Sequence, residues 1–299
     1  MAEGYDILLP SEPFMHGVAH IPRRSVPDHI TRPPYVSDEE GYGPRPGDTG
    51  IIKLRGEEEL SLRAAANLAK RTLEHAGTLI RTALTTDELD AALHEFIISH
   101  NAYPSPLQYH GYPKSVCTSI NNVVAHGIPD DRPLLPNDIV NVDVTVYLNG
   151  FHGDTSRTFM LPEVDERGRA LVAATEGALR EGITACGPGR PFTAIGAAIE
   201  RYVKGLGAGL SVSRQFSGHG IGRVFHRSPW ILHHDNDEEP GVMIPGHCFT
   251  IEPCIVADED SRGFMWPDGW TVSTETGARS AQAEHMVLVT ETGVDVLTE

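Results

Sequence analysis

The stretch NVDVTVYLNGFHGDTS, residues 141–156, combines a hairpin signal with two aspartates at strand positions. Asn149-Gly150 is a pair typical of a two-residue hairpin turn. A turn at this pair sets Thr145 opposite Asp154. Because side chains alternate along a strand, Asp143 and Asp154 then share one face as diagonal neighbours. Aspartate is depleted in strands, so a particular environment must tolerate this pair.

Two carboxylates that converge on a half-buried sheet face repel each other. A shared proton, a basic partner or a metal ion must offset that cost. Arg157 is the nearest basic residue in sequence, and strand alternation turns it to the opposite face. Val142, Val144 and Val146 point toward a core on that side. Two solvated surface acids are the simpler alternative, but the pattern favours a metal or acid–base site.

Three other residues offer ligands at predicted strand positions. SGHGIGRVFH places His219 among glycines, where the backbone can approach a site closely. Glu252 in HCFTIEPCIV and Glu284 in SAQAEHMVLV stand inside apolar segments, although each alone could be an edge-strand acid. Together with the aspartates they form an oxygen-rich set that contains one imidazole. Such a set suits two divalent ions better than a single tetrahedral zinc.

The amino-acid composition argues against some classes of binding partner. A formal net charge of −17 argues against nucleic-acid binding and against docking on anionic membranes, but not against metal cations. The four cysteines form no Cys-x-x-Cys pair and are predicted to be reduced, buried thiols. No apolar run approaches the roughly 18 residues of a membrane span, and the acidic N-terminus is unlike a signal peptide. We therefore expect a cytoplasmic protein.

The distribution of prolines divides the chain. Residues 1–50 hold eight of the 22 prolines, which predicts an extended arm over residues 1–54 ahead of a domain at 55–299. This arm is either a linker or strap on the domain, or a docking peptide for a partner. Two helices, at 57–80 and 85–100, precede strands, and two more precede further strands, which predicts an α+β fold with an internal duplication. The later elements are predicted as helices at 165–186 and 191–206 and strands near 210–217, 247–257, 270–275 and 283–290.

In order and spacing, five segments of the chain resemble those of type I methionine aminopeptidases, and the resemblance runs from about residue 55 to the C-terminus. The segments are YHGYPKSVCTSINNVVAHGIP (109–129), NVDVTVYLNGFHGDTSRTF (141–159), FSGHGIGRVFH (216–226), FTIEP (249–253) and DGWTVSTETGARSAQAEHMVLVT (268–290). Only 31 residues separate Glu252 from Glu284. The type II enzymes carry a helical insertion in that interval.

The resemblance implies a pita-bread fold, in which pseudo-twofold related helix–strand halves surround a curved antiparallel sheet. It also implies a site for two divalent ions, of cobalt, manganese, iron, zinc or nickel. The residues that it implies as metal ligands are Asp143, Asp154, His219, Glu252 and Glu284.

The reaction implied is removal of the N-terminal methionine of nascent polypeptides when the second residue is small. A hydroxide that bridges the two ions would attack the methionine carbonyl. Glu252 would carry its proton to the leaving amine, His226 would stabilise the oxyanion, and His126 would bond the scissile amide or the backbone beyond it. The residues implied for substrate binding are Tyr109, Tyr112, Cys117, His126, Phe225, His226 and Trp270.

Some features depart from the family pattern, and some leave alternative functions open. RSP follows His226, where many members have two acids before the proline, and Ser217 stands where cysteine is common. The arm resembles the proline-rich extension of some type I enzymes, and it could contact the ribosome or another partner. A prolidase or Xaa-Pro aminopeptidase would use the same five ligands. A non-catalytic, partner-binding relative is the rival from another class, although such a protein would be expected to lose ligands.

Overall fold

A computed structural model gives the fold of residues 4–10, 21–38, 40–207, 209–238 and 240–299. The helices are α1 (Glu57–Leu79), α2 (Thr86–Ser99), α3 (Glu166–Thr184) and α4 (Thr193–Gly205). The strands are β1 (Tyr103–Pro104), β2 (Cys117–Ile120), β3 (Val123–Ala125), β4 (Ile139–Leu148), β5 (Phe151–Met160), β6 (Ser211–Val212), β7 (Ser217–Gly220), β8 (Arg227–Leu232), β9 (Cys248–Ile251), β10 (Cys254–Val256), β11 (Gly263–Met265), β12 (Val272–Thr274), β13 (Ser280–Gln282), β14 (His285–Val289) and β15 (Val294–Val296).

The hairpin predicted from Asn149-Gly150 is confirmed in its register. Thr145 of β4 lies opposite Asp154 of β5, and Asp143 lies opposite Ser156. Both turn residues have the positive φ that the turn requires. Strands β1 and β2 pair with the other edge of β4, which is therefore interior to a four-stranded sheet. This central position holds the two aspartates on a rigid element.

Helix α1 packs directly against β5 because small residues allow a close approach. A Cβ atom on Gly153 would lie 2.3 Å from the carbonyl carbon of Ala65. Ala65, Ala66 and Ala69 are fully buried on the facing side of the helix. The helix backbone therefore covers the hairpin on the side away from its aspartates.

The second half of the chain repeats the order of two helices followed by strands. Strands β15, β14, β9, β7 and β8 form a five-stranded sheet in that order, and every strand pairing among the described residues is antiparallel. Helix α3 packs on helix α4 and against β10 and β13. The α+β class predicted from the sequence is confirmed by this arrangement.

The strand predicted at 247–257 is interrupted at Glu252, so the expectation that this glutamate lies inside a continuous strand is wrong. The strand predicted at 283–290 begins only at His285, and Glu284 before it forms an isolated antiparallel bridge with Ser156. Glu252 and Pro253 fall between β9 and β10, and Glu284 falls between β13 and β14. Proline has no backbone donor for a ladder, which accounts for the break at Glu252. Each glutamate therefore sits where a chain leaves one sheet and enters another.

Six strands of the described residues were not predicted: β1, β3, β8, β11, β13 and β15. Strand β8 contains Pro229 and forms an edge of its sheet, the position in which a strand tolerates proline. Strands β11 and β15 are only three residues long and are also edges. Short edge strands depend on a partner from elsewhere in the chain, which their own sequence does not display.

Other local expectations are met. The second helix, predicted at 85–100, is observed at Thr86–Ser99, and its N-cap Thr85 forms a capping box with Glu88. All four cysteines are free and buried, as predicted. No helix of the described ranges combines the length and the apolar character that crossing a membrane requires.

The described part of the predicted arm lies against the rest of the chain. Val26 and Ile30 are buried in a small core with Tyr103, Leu107 and Tyr147. Arg24 forms an ion pair of 2.8 Å with the fully buried Asp90 of α2. Residues 1–3, 11–20 and 39, with Pro13 of the proline-rich prediction, lie outside the described residues.

Candidate active site

One cavity of about 280 Å³ collects the candidate ligands from both halves of the fold. Asp143 and Asp154 reach it from β4 and β5, and His219 reaches it from β7. The two glutamates reach it from positions between strands. The five side chains are therefore brought together from segments that are distant in sequence.

His219 presents a lone pair to two carboxylates. Its Nδ1 atom donates to the carbonyl oxygen of Gly220 at 3.2 Å, which leaves Nε2 without a proton in the neutral ring. Burial lowers the pKa of His219 to about 4, so the ring is neutral at physiological pH. Nε2 lies 3.6 Å from Oδ2 of Asp154 and 3.5 Å from Oε1 of Glu252.

Neighbouring side chains hold the carboxylates in place. Thr145 donates to Oδ1 of Asp154 at 2.7 Å. Thr250 donates to Oε1 of Glu252 at 2.8 Å, and Gln282 donates to Oε2 at 3.2 Å. These bonds fix the orientation of the side chains and leave lone pairs free to face the cavity.

The electrostatics of the cavity favour a cation. Burial raises the pKa of Asp143 to about 7. Burial and then mutual repulsion raise the pKa values of Asp154, Glu252 and Glu284 well above their ordinary range. The described lining of the cavity includes no lysine or arginine that could neutralise the four carboxyl groups. Without a cation, the site can hold these groups only by keeping protons on them.

The donor set fits a divalent metal ion. Ligand atoms of Asp154, His219 and Glu284 all lie within 4.8 Å of one another, and the three residues are buried. Two carboxylates and a neutral imidazole are the hard and borderline ligands that such ions prefer. The unprotonated Nε2 atom and the neighbouring carboxylate oxygens all accept hydrogen bonds and cannot donate to one another. A cation bound between them would interact favourably with every one of their lone pairs.

Two further histidines line the same cavity. The Nδ1 atom of His226 lies 2.9 Å from the hydroxyl of Tyr109. Burial, together with the neighbouring His219, lowers the pKa of His226 well below its usual value. His126 has a positive φ of 57°, and burial lowers its pKa to about 4. Both rings are therefore neutral hydrogen-bonding groups rather than cations.

Aromatic rings and a thiol form the apolar wall of the cavity. Tyr112 and Trp270 meet edge to face with ring centroids 5.1 Å apart. Cys117 is the register partner of Asp143 on β2, so it lies beside the candidate ligands. Phe225 completes this wall and stacks on His226 at 4.0 Å. All seven residues expected at the substrate thus line one cavity.

Comparison with known proteins identifies the family. The profile of metallopeptidase family M24 matches residues 61–291. Methionine aminopeptidase 1B, chloroplastic, from Arabidopsis thaliana is 49% identical over 285 residues, which cover 93% of this chain and 73% of that protein. This chain belongs to the type I methionine aminopeptidases of family M24.

The structural comparison confirms the pita-bread fold expected for this family. The methionine aminopeptidase of Rickettsia prowazekii has a TM-score of 0.79 at 43% identity, covering 83% of this chain and 100% of that chain. A prolidase from Pyrococcus furiosus has a TM-score of 0.66 at 21% identity, a likeness that shows the shared fold alone. Membership of this metallopeptidase family also implies the use of divalent metal.

The sequence did not single out several residues that shape this family member's site. Thr250 and Gln282 precede their glutamates by two positions, so the period-two rule could have placed them on the same face. Phe216, which meets His126 edge to face at 5.4 Å, and Trp230 also line the cavity. No local signal distinguishes these two rings from ordinary core or surface aromatics.

Proposed function

We propose that this chain removes the N-terminal methionine from polypeptides whose second residue is small. The observation that carries the proposal is a single cavity that joins a carboxylate–histidine cluster to an aromatic and thiol wall. Family membership supports the same reaction. Retention of all five candidate ligands disfavours the non-catalytic alternative.

We propose two divalent ions for the site, held by five residues. The residues that would hold them are Asp143, Asp154, His219, Glu252 and Glu284. When bound, such ions lower the pKa of coordinated water and polarise a substrate carbonyl. Cobalt, manganese, iron, zinc and nickel are all compatible with this mixture of ligands.

Glu252 is the proposed proton carrier. Its raised pKa supports this role, because a carboxyl group that can hold a proton near neutrality can accept one and return it. The bonds from Thr250 and Gln282 limit its rotation and keep the group aimed at the cavity. The proton would pass to the leaving amine of the shortened polypeptide.

His226 is the proposed donor to the substrate carbonyl as negative charge develops on its oxygen. Burial raises the pKa of Tyr109 to about 12, so its hydroxyl keeps its proton and can donate to Nδ1 of His226. That bond selects the tautomer with a proton on Nε2. A neutral His226 can then donate from Nε2 to the developing oxyanion. His126 is proposed to bond the scissile amide or the backbone beyond it.

The methionine side chain is proposed to lie among the apolar residues of the wall. An unbranched thioether suits a pocket of aromatic edges and a thiol. The residues proposed for this binding are Tyr109, Tyr112, Cys117, Phe225 and Trp270. The free α-amino group of the substrate would pair with Asp143, which restricts cleavage to the first residue.

The test compares the hydrolysis of Met-Ala-Ser with that of a Met-Pro or Ala-Pro dipeptide. Chelated protein should be inactive, and addition of Mn(II) or Co(II) should restore methionine release from Met-Ala-Ser. Met-Lys-Ser serves as the control for the size of the second residue and should be cleaved poorly. Preferred cleavage of the proline dipeptides would support the prolidase alternative instead, and absence of any metal-dependent cleavage would refute the proposal.

The start of α1 at Glu57 supports a boundary between an arm of residues 1–54 and a catalytic domain of residues 55–299. Contact of the arm with the ribosome or another partner is proposed from its proline content, and deletion of residues 1–20 followed by ribosome sedimentation would test it.

A cytoplasmic location remains a prediction that cell fractionation would test.

A further inference from the structure

Arg227 occupies the position directly after His226 and turns toward the N-terminal arm. Its Nη1 atom lies 3.0 Å from Oδ2 of Asp48, and its Nη2 atom donates to the carbonyl oxygen of Asp48 at 3.1 Å. The arginine side chain is 10% exposed and that of the aspartate is 24% exposed. Asp48 thus provides a partly buried, two-point contact for a residue adjoining the candidate site.

The arm backbone is shaped around this guanidinium. Gly50 has a φ of +72°, and a Cβ atom at this position would lie 2.5 Å from the Cζ atom of Arg227. Any side chain there would displace the guanidinium and would strain the backbone. Ile52, two residues further on, is buried and donates its N–H to the carbonyl oxygen of Gly246 at 2.8 Å. The segment that holds Arg227 is therefore anchored to the second half of the fold.

A second contact from the arm reaches the other side of His226. Tyr35 meets Tyr109 edge to face at 4.9 Å, and the hydroxyl of Tyr35 donates to the carbonyl oxygen of Ser105 at 2.5 Å. Tyr42 stacks on His110 at 4.0 Å. Tyr109 and His110 lie in a short turn in which His110 has a positive φ of 44°. The arm therefore packs on the turn that carries the hydrogen-bonding partner of His226.

The two contacts from the arm lie on either side of His226, one of the candidate catalytic residues. Tyr109 bonds the ring of His226, and Arg227 continues the backbone from it into β8, where Arg227 pairs with Gly220 of β7. We propose that arm residues 35–38 and 40–50 form a clamp that positions His226, with the Asp48–Arg227 ion pair as its polar half. Arg227 and Asp48 are positioning residues in this proposal. The proposal deepens the proposed function and rests on the role of His226 given there.

Such a clamp would serve the reaction because the group that donates to the oxyanion must be positioned precisely. A donor to an oxyanion must lie within hydrogen-bonding distance of an atom whose position is fixed by the rest of the site. Residues 222–226 form bends rather than regular structure, so His226 precedes strand β8 and is not itself part of a sheet. Contacts from the arm at the residue after His226 and at its ring partner restrict it on two sides.

The experiment uses the full chain loaded with Mn(II) and Met-Ala-Ser as substrate. Asp48→Asn removes the charge and keeps the shape of the clamp. Asp28→Asn is the matched control, because Asp28 forms an arm ion pair of 3.3 Å with Arg32 and is fully exposed. We expect Asp48→Asn to lower kcat about tenfold, the loss typical of a charge-assisted hydrogen bond, with little change in KM. The control should retain the kcat of the parent chain.

Reversal of the charges separates positioning from general stabilisation. Asp48→Arg and Arg227→Asp should each lower kcat, and the double variant should recover a large part of it, because the pair is restored in the opposite sense. Metal content should be unchanged in every variant. Inactive parent protein would refute the proposed function, whereas active parent protein with unchanged kcat in Asp48→Asn would overturn the clamp alone. A lower melting temperature with unchanged kcat would also overturn it.

Discussion

The Nε2 atom of His219 lies 3.5 Å from Oε1 of Glu252, and the proton of the neutral ring is on the opposite nitrogen, toward Gly220. Two acceptors at this distance repel unless a proton or a cation lies between them. Asp154 approaches the same Nε2 atom at 3.6 Å, which adds a third acceptor. The arrangement is therefore built for a ligand that accepts electron pairs, as a metal cation does.

Removal of metal should make the stability of the folded protein depend on pH. Burial raises the pKa of Asp143 from 3.8 to about 7, and Asp154, Glu252 and Glu284 shift in the same direction. As pH rises through this window, the unfolded chain releases protons that the folded metal-free site retains. The contribution of these groups to stability therefore falls as pH rises.

The difference in melting temperature between metal-loaded and chelated protein measures this effect. It should grow from about pH 5 to about pH 8, because metal replaces the protons that the carboxyl groups otherwise hold. Using the difference cancels the titration of groups outside the site. A difference that stays constant across this range would contradict the prediction.

Thr250→Val should weaken metal binding without unfolding the protein. The hydroxyl of Thr250 accepts the backbone N–H of His219 at 3.0 Å and donates to Glu252 at 2.8 Å, so it orients two candidate ligands. Loss of such support typically costs about 10- to 100-fold in metal affinity. Titration of the chelated protein with Mn(II) in a calorimeter measures the change.

The matched control for that substitution is Thr72→Val. Thr72 is fully buried, like Thr250, and its hydroxyl bonds the carbonyl oxygen of Leu68 within α1. Metal affinity should be unchanged in this variant. Equal effects of the two substitutions would show that Thr250 acts through general packing and not through the ligands.

His226→Ala should separate turnover from metal binding. The ring is proposed to donate to the developing oxyanion, and removal of one such donor typically lowers kcat by about 10²- to 10³-fold. Metal content, measured by elemental analysis, should stay near that of the parent chain. Tyr109→Phe, which removes only the bond that selects the tautomer, should have a smaller effect of about tenfold. Loss of metal in step with activity would instead make His226 a ligand.

Gly153→Ala should destabilise the fold. A methyl group at Gly153 would lie 2.3 Å from the backbone of Ala65 in α1, so the helix would have to move away from β5. Overpacking of this kind costs about 1–3 kcal/mol in the free energy of unfolding. Gly205→Ala is the control, because a Cβ atom there meets nothing within 4 Å at the end of α4. Urea unfolding of both variants should show destabilisation in the first alone.

The hairpin illustrates how far local sequence reaches. The register of β4 against β5 followed from Asn149-Gly150 because a two-residue turn fixes which residues are opposite. The helix bounds were also close, since capping residues and apolar spacing are local features. The strands beyond residue 206 were predicted less well, because edge strands such as β8 acquire their conformation from a distant partner.

The two glutamates show the limit of what could be predicted from the local sequence. Their residue type and apolar surroundings marked them as candidates, but their positions between strands depend on how two sheets meet. Thr250 and Gln282 follow from the same alternation once the strands are known. The distances among His219, Glu252 and Asp154 cannot be predicted from the pattern of residues along the chain.

The sequence by itself determined the hairpin, the four helices, the chemical composition of the ligand set and the family resemblance. Each of these depends on residues that are close in the chain or on motifs in a fixed order. Tertiary structure alone decided that the candidate ligands share a cavity with the aromatic wall. It also decided that Arg227 pairs with Asp48, 179 residues away. Contacts of that range are set by the packing of helices on sheets, because only the folded core brings such distant residues together.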